Sequence, residues 1–592
     1  MSVRLITFAF PLLLALPLAA QTSNPIPTRI GSEGVKVELV DWLQAPATAS
    51  SPRARLSTLK PAYDGTPRLF VNDLRGLLYV IASPAANSMS LYLDVKSQIS
   101  VFRDSPGLGT GLTGFAFHPQ FAANGRLYTA HMESAGSGRS DYGAAAAGTV
   151  VLQGVITEWT ATSPTANVFA GTRRELLRID YNGTIHGLQD IGFNPFAKAG
   201  DEDYGLLYIC AGDGGAVSAG RPDWTHRLSS PYGSILRLDP LGTNSPNGRY
   251  GIPSTNPYAN DGRADTLGEI YAWGFRNPHR ISWDSQAPHR ALIGDIGENQ
   301  IEEVNLLTKG GDYGYPDREG TFLLRTNQTN VVYPLPADDA TFGFTYPVAQ
   351  YDHDEGAAIA GGYVYRGANV PALRGLYFFG DIPGGRMFYV KADTITPGAQ
   401  STIYELGLTR NGSDARLTTL AGTSRADVRF GIDLAGEVYI MTKGDGRIRR
   451  VAALPAPPVA TGKLINVSTR GRVETGERIL IAGFVVEGGS RRVVIRGVGP
   501  ALGAFGVTGF LADPEVIVLR GATVVATNDN WGQGANAASF AATAATSGAF
   551  PYTAGSADAG LLLDLDAGAY TVQLRGRNET TGVALVEVYE AR

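Results

Sequence analysis

The chain has a single cysteine, Cys210, among its 592 residues, so no disulfide can form within it. Cys210 lies in an apolar strand pattern, GLLYICAGDGG, and reads as a small buried hydrophobe. Charge is also sparse. The formal net charge is only −5, and no tract of Lys and Arg interleaves with aromatic residues, which argues against nucleic acid as the main partner. Helical periodicity is scarce, which leaves little room for helix packing. Beyond the first twenty residues no segment is apolar enough to span a bilayer, so no transmembrane segment is expected in the mature chain. Histidine is rare enough, at seven copies, that each one can be weighed singly.

The chain is rich in glycine, with 74 copies, set between short runs of β-branched and aromatic residues. That is the composition of many tight turns joining short strands. A loose repeat recurs, an apolar strand entered through glycine: GLLYVIAS from Gly76, GRLYTAHM from Gly125, GLLYICAGDGG from Gly205 and GEVYIMTKGDG from Gly436. ALIGDIGE from Ala291 and GLYFFGDIPGG from Gly375 are looser copies. Six such units over several hundred residues predict an all-β fold, a six-bladed β-propeller over residues 35–451. Residues 452–462, AALPAPPVATG, form an uncharged Pro/Ala linker. Residues 463–592 then bring further strands at short spacing, among them RILIAGFVVEG and RRVVIRGVG, and predict a C-terminal β-sandwich. At the other end, Arg4, the apolar run Leu5–Leu18 and Ala19-Ala20 form a secretory signal peptide over residues 1–20. The mature protein is therefore expected to be exported, to the periplasm or beyond the cell.

Two stretches carry the chemistry. GEIYAWGFRNPHRISWD, Gly268 to Asp284, starts as a strand and breaks at Arg276-Asn277-Pro278, where proline blocks the ladder. ALIGDIGENQIEEVNLLTKGGDYGYP, Ala291 to Pro316, pairs a Gly-Asp-Ile-Gly-Glu turn with Glu302 and Glu303 and ends in a glycine-rich loop. Together they resemble the glucose/sorbosone dehydrogenase family, the soluble quinoprotein sugar dehydrogenases that use pyrroloquinoline quinone (PQQ) and calcium on a six-bladed propeller.

The resemblance implies site residues position by position. His186, in NGTIHGLQDIGFNPF, matches the general base, and a near-neutral pKa suits an imidazole to that task. Asp213 matches the Gly-Asp turn that follows it. Arg276 and Asn277 match the Arg-Asn pair at the quinone oxygens, where a guanidinium would steady the negative charge that builds on reduction. Gly297 and Glu298 match the turn that holds calcium through oxygen ligands. Arg386 and Arg429 are the nearest cations for the carboxylates of PQQ. The implied reaction is oxidation of a sugar or polyol hydroxyl, with an electron acceptor that the sequence does not name. The chain also departs from the pattern. Ile185 stands where the family has Asp before the base, Gly109-Thr110 where it has Gln or Glu, and no Lys occupies the position near Pro383. Arg425 and Arg429 bracket the place of a late arginine pair. A propeller that binds a glycan or a protein without catalysis is the alternative. A metal-dependent hydrolase would draw on Asp352, Asp354 and Glu355 beside His353. His118, in GLTGFAFHPQF, reads as structural.

Overall fold

The computed structural model describes residues 21–591 apart from Ser23, 107–109, 144–147, 217–219, 326, 455–463 and 534–535. The expected signal peptide lies outside the described residues, as does the expected linker beyond its first three positions. Ala452 still belongs to the strand Arg447–Ala452. The chain forms two compact units, residues 1–455 and 456–592. Among the described residues, no helix is long and apolar enough to cross a membrane.

The first unit is all-β, built from four-stranded antiparallel sheets that follow one another along the chain. One comprises Leu112–Phe117, Arg126–Ser134, Leu152–Ala161 and Gly171–Tyr181. The next comprises Leu188–Gly192, Leu207–Ala211, Ser234–Leu238 and Ile270–Ala272. A third starts at Pro278–Trp283 and a fourth at Ile359–Val364. Two further four-strand sets, starting at Leu56–Pro61 and Arg429–Ile432, merge into one ten-stranded sheet through a parallel pairing of Leu59 with Gly431. The N-terminal strand Lys36–Gln44 pairs antiparallel with Arg447–Ala452 and so completes the last set from the other end of the chain. The first strands of the six sets touch one another in cyclic order.

Glycine is what lets these first strands approach so closely. A Cβ on Gly114 would stand 3.0 Å from Gln189 O and from Ile191 N of the neighbouring first strand, and one on Gly431 would stand 2.5 Å from Leu59 Cβ. The apolar core lies between the faces of successive sheets. Phe70, Leu78 and Val80 pack on Phe115, Phe117 and Trp159, and Tyr128, Ile156 and Leu177 pack on Leu188, Ile209 and Leu236. Five of the six glycine-entered repeats are the second strand of their set. The copy at Gly76 is the third strand of its set, behind Leu69–Asp73, because glycine-entered apolar runs fit any interior strand alike.

The second unit contains two four-stranded antiparallel sheets, one from Asn466–Val473, Gly582–Glu590, Arg491–Val498 and Ala559–Leu565, the other from Leu480–Val486, Gly568–Gly576, Pro514–Arg520 and Thr523–Asn528. Val473, Ile495 and Val586 of the first share one core with Val516, Val572 and Leu574 of the second.

Candidate active site

The starts of the first strands surround a cavity of about 730 Å3. His186, Arg276, Asn277, Gly297, Glu298 and Arg429 all line it. Residues separated by up to 243 positions are thus brought to one place, from His186 on the approach to Leu188–Gly192 to Arg429 at the head of its strand.

His186 is held from two sides. Its Nδ1 lies 2.9 Å from Asp213 Oδ1, and its carbonyl accepts from Gly214 N at 2.8 Å. The residue adopts φ +54°, a left-handed conformation that a non-glycine residue holds only where its surroundings impose it. The turn after it requires glycine: a Cβ on Gly212 would stand 2.4 Å from His186 O and 2.7 Å from Asn277 Oδ1. Asp213 is buried, and its Oδ1 also accepts from Gly215 N at 3.1 Å. A carboxylate on Nδ1 fixes that nitrogen as the donor and leaves Nε2 as the basic atom. Burial, then the Arg276 charge, hold the imidazole below its ordinary pKa, with Asp213 opposing them. For Asp213, burial opposes ionisation but the imidazole and Arg276 prevail, and its pKa is lowered.

Arg276 and Asn277 start the turn into Pro278–Trp283. A residue not singled out by sequence, the buried Asp295, clamps that turn: its two oxygens accept from Arg276 N at 3.1 Å and Asn277 N at 2.7 Å. The Arg276 guanidinium donates Nε to Glu298 Oε2 at 2.5 Å and Nη1 to the Gly297 carbonyl, while Tyr315 Oη donates to the same Glu298 oxygen at 2.9 Å. The two groups expected to hold calcium are therefore engaged by a guanidinium. Asn277 Oδ1 is buried against the Gly212 turn with no hydrogen-bond partner among the described residues.

Arg386 does not line the cavity. It forks onto Glu405, at 3.0 and 2.8 Å, and also pairs with Glu355. The acidic segment Asp352–Glu355 is spent on the chain's start: Asp352 accepts from Ile26 N at 3.0 Å, Glu355 from Ile30 N at 3.0 Å, and Asp354 pairs with Arg29 at 3.1 Å. Among the described residues, no three His, Cys, Asp or Glu side chains converge as a metal site. Glu302 and Glu303 are buried, and serve His353 Nε2 and Ile359 N, and Asn305 Nδ2 and Gly320 N, respectively. His118 is buried, accepts from Gln120 N at 3.0 Å, and lies outside the cavity lining.

Sequence reading missed part of the lining. Arg55, Arg75, Gln189, His279 and Lys443 all face the cavity; Arg55 and Arg75 sit in no motif, and the other three lie within the stretches quoted above without being read as lining. With Arg276, Arg425 and Arg429, the cations outnumber the lining carboxylates Asp104, Asp427 and Glu298. The one signal for Lys443 was its place at the end of the strand in the glycine-entered repeat GEVYIMTKGDG.

A family model described as Glucose / Sorbosone dehydrogenase matches residues 64–450, well over half of the chain. Among curated proteins, HIPL2 protein of Arabidopsis thaliana is 31% identical over 367 residues, covering 55% of this chain and 50% of its own. Human Hedgehog-interacting protein is 25% identical over 383 residues, covering 64% of this chain and 47% of its own. The chain thus spans about half the length of the curated relatives it matches. Quinoprotein glucose dehydrogenase B of Acinetobacter calcoaceticus is 33% identical over a shorter stretch of 88 residues, 15% of this chain and 16% of its own. A solved PQQ-bound aldose sugar dehydrogenase of Streptomyces coelicolor overlays 71% of this chain and 98% of its own with a TM-score of 0.46 at 17% identity. By the extent of the family match, the chain belongs to the glucose/sorbosone dehydrogenase family.

Proposed function

We propose that this chain is an exported dehydrogenase that oxidises a sugar or polyol hydroxyl with bound PQQ, built as a six-bladed propeller followed by a β-sandwich. The single observation that carries the reaction is the His186–Asp213 pair at the wall of a cavity rich in cations. The six sets of strands with cyclically touching first strands support the propeller, and the two sheets on one core support the sandwich.

The residues present fit an anionic cofactor. Positive side chains are in excess in the lining, Arg429 Nε is a buried donor without a partner among the described residues, and guanidinium groups suit carboxylates. Arg276, Asn277 and Arg429 would hold it. PQQ, when bound, supplies a two-electron acceptor for hydride from the carbinol carbon. This chain's own part is to take the proton. A substrate hydroxyl against His186 Nε2 gives up its proton to the neutral imidazole, and Asp213 on Nδ1 steadies the imidazolium that results. Arg276, where burial opposes the charge but Asp213, Tyr315 and Glu298 prevail and raise its pKa, stays charged throughout and favours negative charge built up beside it. Calcium at Gly297 and Glu298 would have to displace that guanidinium from both, and none of these steps depends on it.

A second reading, a propeller that binds a glycan or protein partner, draws support from the Hedgehog-interacting proteins among the relatives. The deciding experiment adds PQQ, with and without calcium, to purified protein, follows the absorption spectrum, and offers a panel of sugars and polyols with a dye acceptor. Cofactor binding with dye reduction is expected. No binding by calorimetry and no dye reduction would remove the dehydrogenase reading and leave the binding propeller.

A further inference from the structure

We infer that Lys443 and Arg429 form a buried carboxylate-binding subsite in this cavity, with Lys443 supplying the cation that the sequence lacks beside Pro383. The inference rests on the cavity holding an anionic ligand, and not on any redox step.

The two side chains share one wall. Arg429 opens the strand Arg429–Ile432 and pairs with Met441, and Lys443 follows the end of that partner strand, Val438–Thr442. The segment before Arg429 is laced to the Pro383 turn: Val428 N donates to Ile382 O at 3.2 Å and Ala426 N to Pro383 O at 2.8 Å. A cation at Lys443 and one beside Pro383 would therefore serve the same side of the cavity.

Both side chains are 7% exposed and both line the cavity. Arg429 spends Nη1 on the carbonyl of its own neighbour Val428, at 2.8 Å, and its Nε has no partner among the described residues. Lys443 makes no hydrogen bond or ion pair among the described residues. Around them stand Arg55, Arg280 and His279, all buried. The nearby carboxylates are engaged: Asp427 accepts from Arg425 Nε at 2.7 Å, and Asp104 accepts from Lys96 Nζ at 2.9 Å. Buried like charges close together are costly to hold, and a bound anion lowers that cost.

The titration behaviour agrees with the geometry. Burial first, then Arg429, drives Lys443 well below the ordinary lysine range, with Asp427 opposing them. Burial, then Arg280, brings Arg429 down to about 9. A carboxylate between them reverses both shifts, so binding takes up a proton wherever Lys443 is neutral in the free protein. Two ligands could bring that carboxylate, the PQQ cofactor or an acidic sugar such as glucuronate.

The test is calorimetry at about pH 9, where an ordinary lysine is charged, in two buffers of different ionisation enthalpy. PQQ is titrated into wild type, Lys443→Met, Lys443→Arg and Arg429→Met. Glucuronate or glucose is then titrated into the PQQ-treated protein. In wild type a carboxylate ligand takes up a proton. Lys443→Met loses the Lys443 share of that uptake, leaving only what Arg429 takes up, and binds about tenfold more weakly or worse, while Lys443→Arg keeps affinity with the same reduced uptake. Uptake with PQQ assigns the subsite to the cofactor, and uptake only on adding glucuronate, and not glucose, assigns it to an acidic substrate. Absence of uptake with both ligands, or wild-type affinity of Lys443→Met for both, overturns the subsite. Dye reduction is read separately: PQQ binding that depends on Lys443, with no sugar oxidised, keeps the subsite and removes the dehydrogenase reading.

Discussion

The backbone N–H of Asp213 donates to the carbonyl oxygen of Arg276 at 2.8 Å. Through this one bond, the carboxylate that orients the base is fixed to the turn that carries the guanidinium. Asp295 holds that same turn from the far side through Arg276 N and Asn277 N. The base and the cation thus form one rigid unit, and disturbing either side is expected to reach the other.

Removing the proton acceptor should cost rate and not cofactor. For His186→Ala, turnover falls by about a hundredfold to ten-thousandfold, and PQQ affinity by calorimetry stays near wild type. An equal loss of affinity and turnover would place His186 among the cofactor contacts instead.

The pH profile follows from the lowered pKa of His186. The base works as neutral imidazole, so kcat/KM rises with pH and levels off below the ordinary histidine value of about 6.5. Asp213→Asn takes away the carboxylate that raises the imidazole pKa, so the acid limb moves to still lower pH while the plateau drops. A profile unchanged by Asp213→Asn refutes the pairing.

Arg276→Ala should weaken PQQ binding and turnover together, and should strand the Gly297 carbonyl and Glu298, which now accept from it. Arg276→Lys cannot reproduce the fork, so it should recover little of either. Full recovery by lysine would show that only the charge matters.

Gly212→Ala drives a Cβ to 2.4 Å from His186 O. The turn must shift, and a cost of about 1–3 kcal/mol is expected alongside loss of turnover. Thermal unfolding and kinetics on the same preparation check both; a variant that is stable and fully active would show that the turn can open freely.

His118 sets an acid limit on the fold. Burial, then the Arg126 charge, pushes its imidazole down to about 4, below the unfolded value of about 6.5. Between these values the unfolded chain binds the proton that the folded chain refuses, so stability is lost as pH falls through that window. His118→Gln should flatten the change of unfolding free energy between about pH 6.5 and 4. An unaltered slope would assign the acid sensitivity to other groups.

Periodicity and turn chemistry are local, so the amino-acid sequence alone determined the strand-rich character, the glycine-entered repeat and the family motifs at His186, Arg276 and Asn277. Each depends on neighbours within a few residues, and strand alternation or a proline break is visible there. The tertiary structure alone decided which charges face one another. Arg386 sits close to the motif in sequence but is drawn off to Glu405 and Glu355, while Arg55, which belongs to no motif, and Lys443 and His279, which sequence placed only in a strand repeat and a turn, reach the cavity because the first strands of all six sets meet around it. Likewise, Gly297 and Glu298 read as a cation site, and only the folded turn placed the Arg276 guanidinium against both. Charge pairing depends on distance through space across chain separations of hundreds of residues, and linear spacing carries no information about that distance.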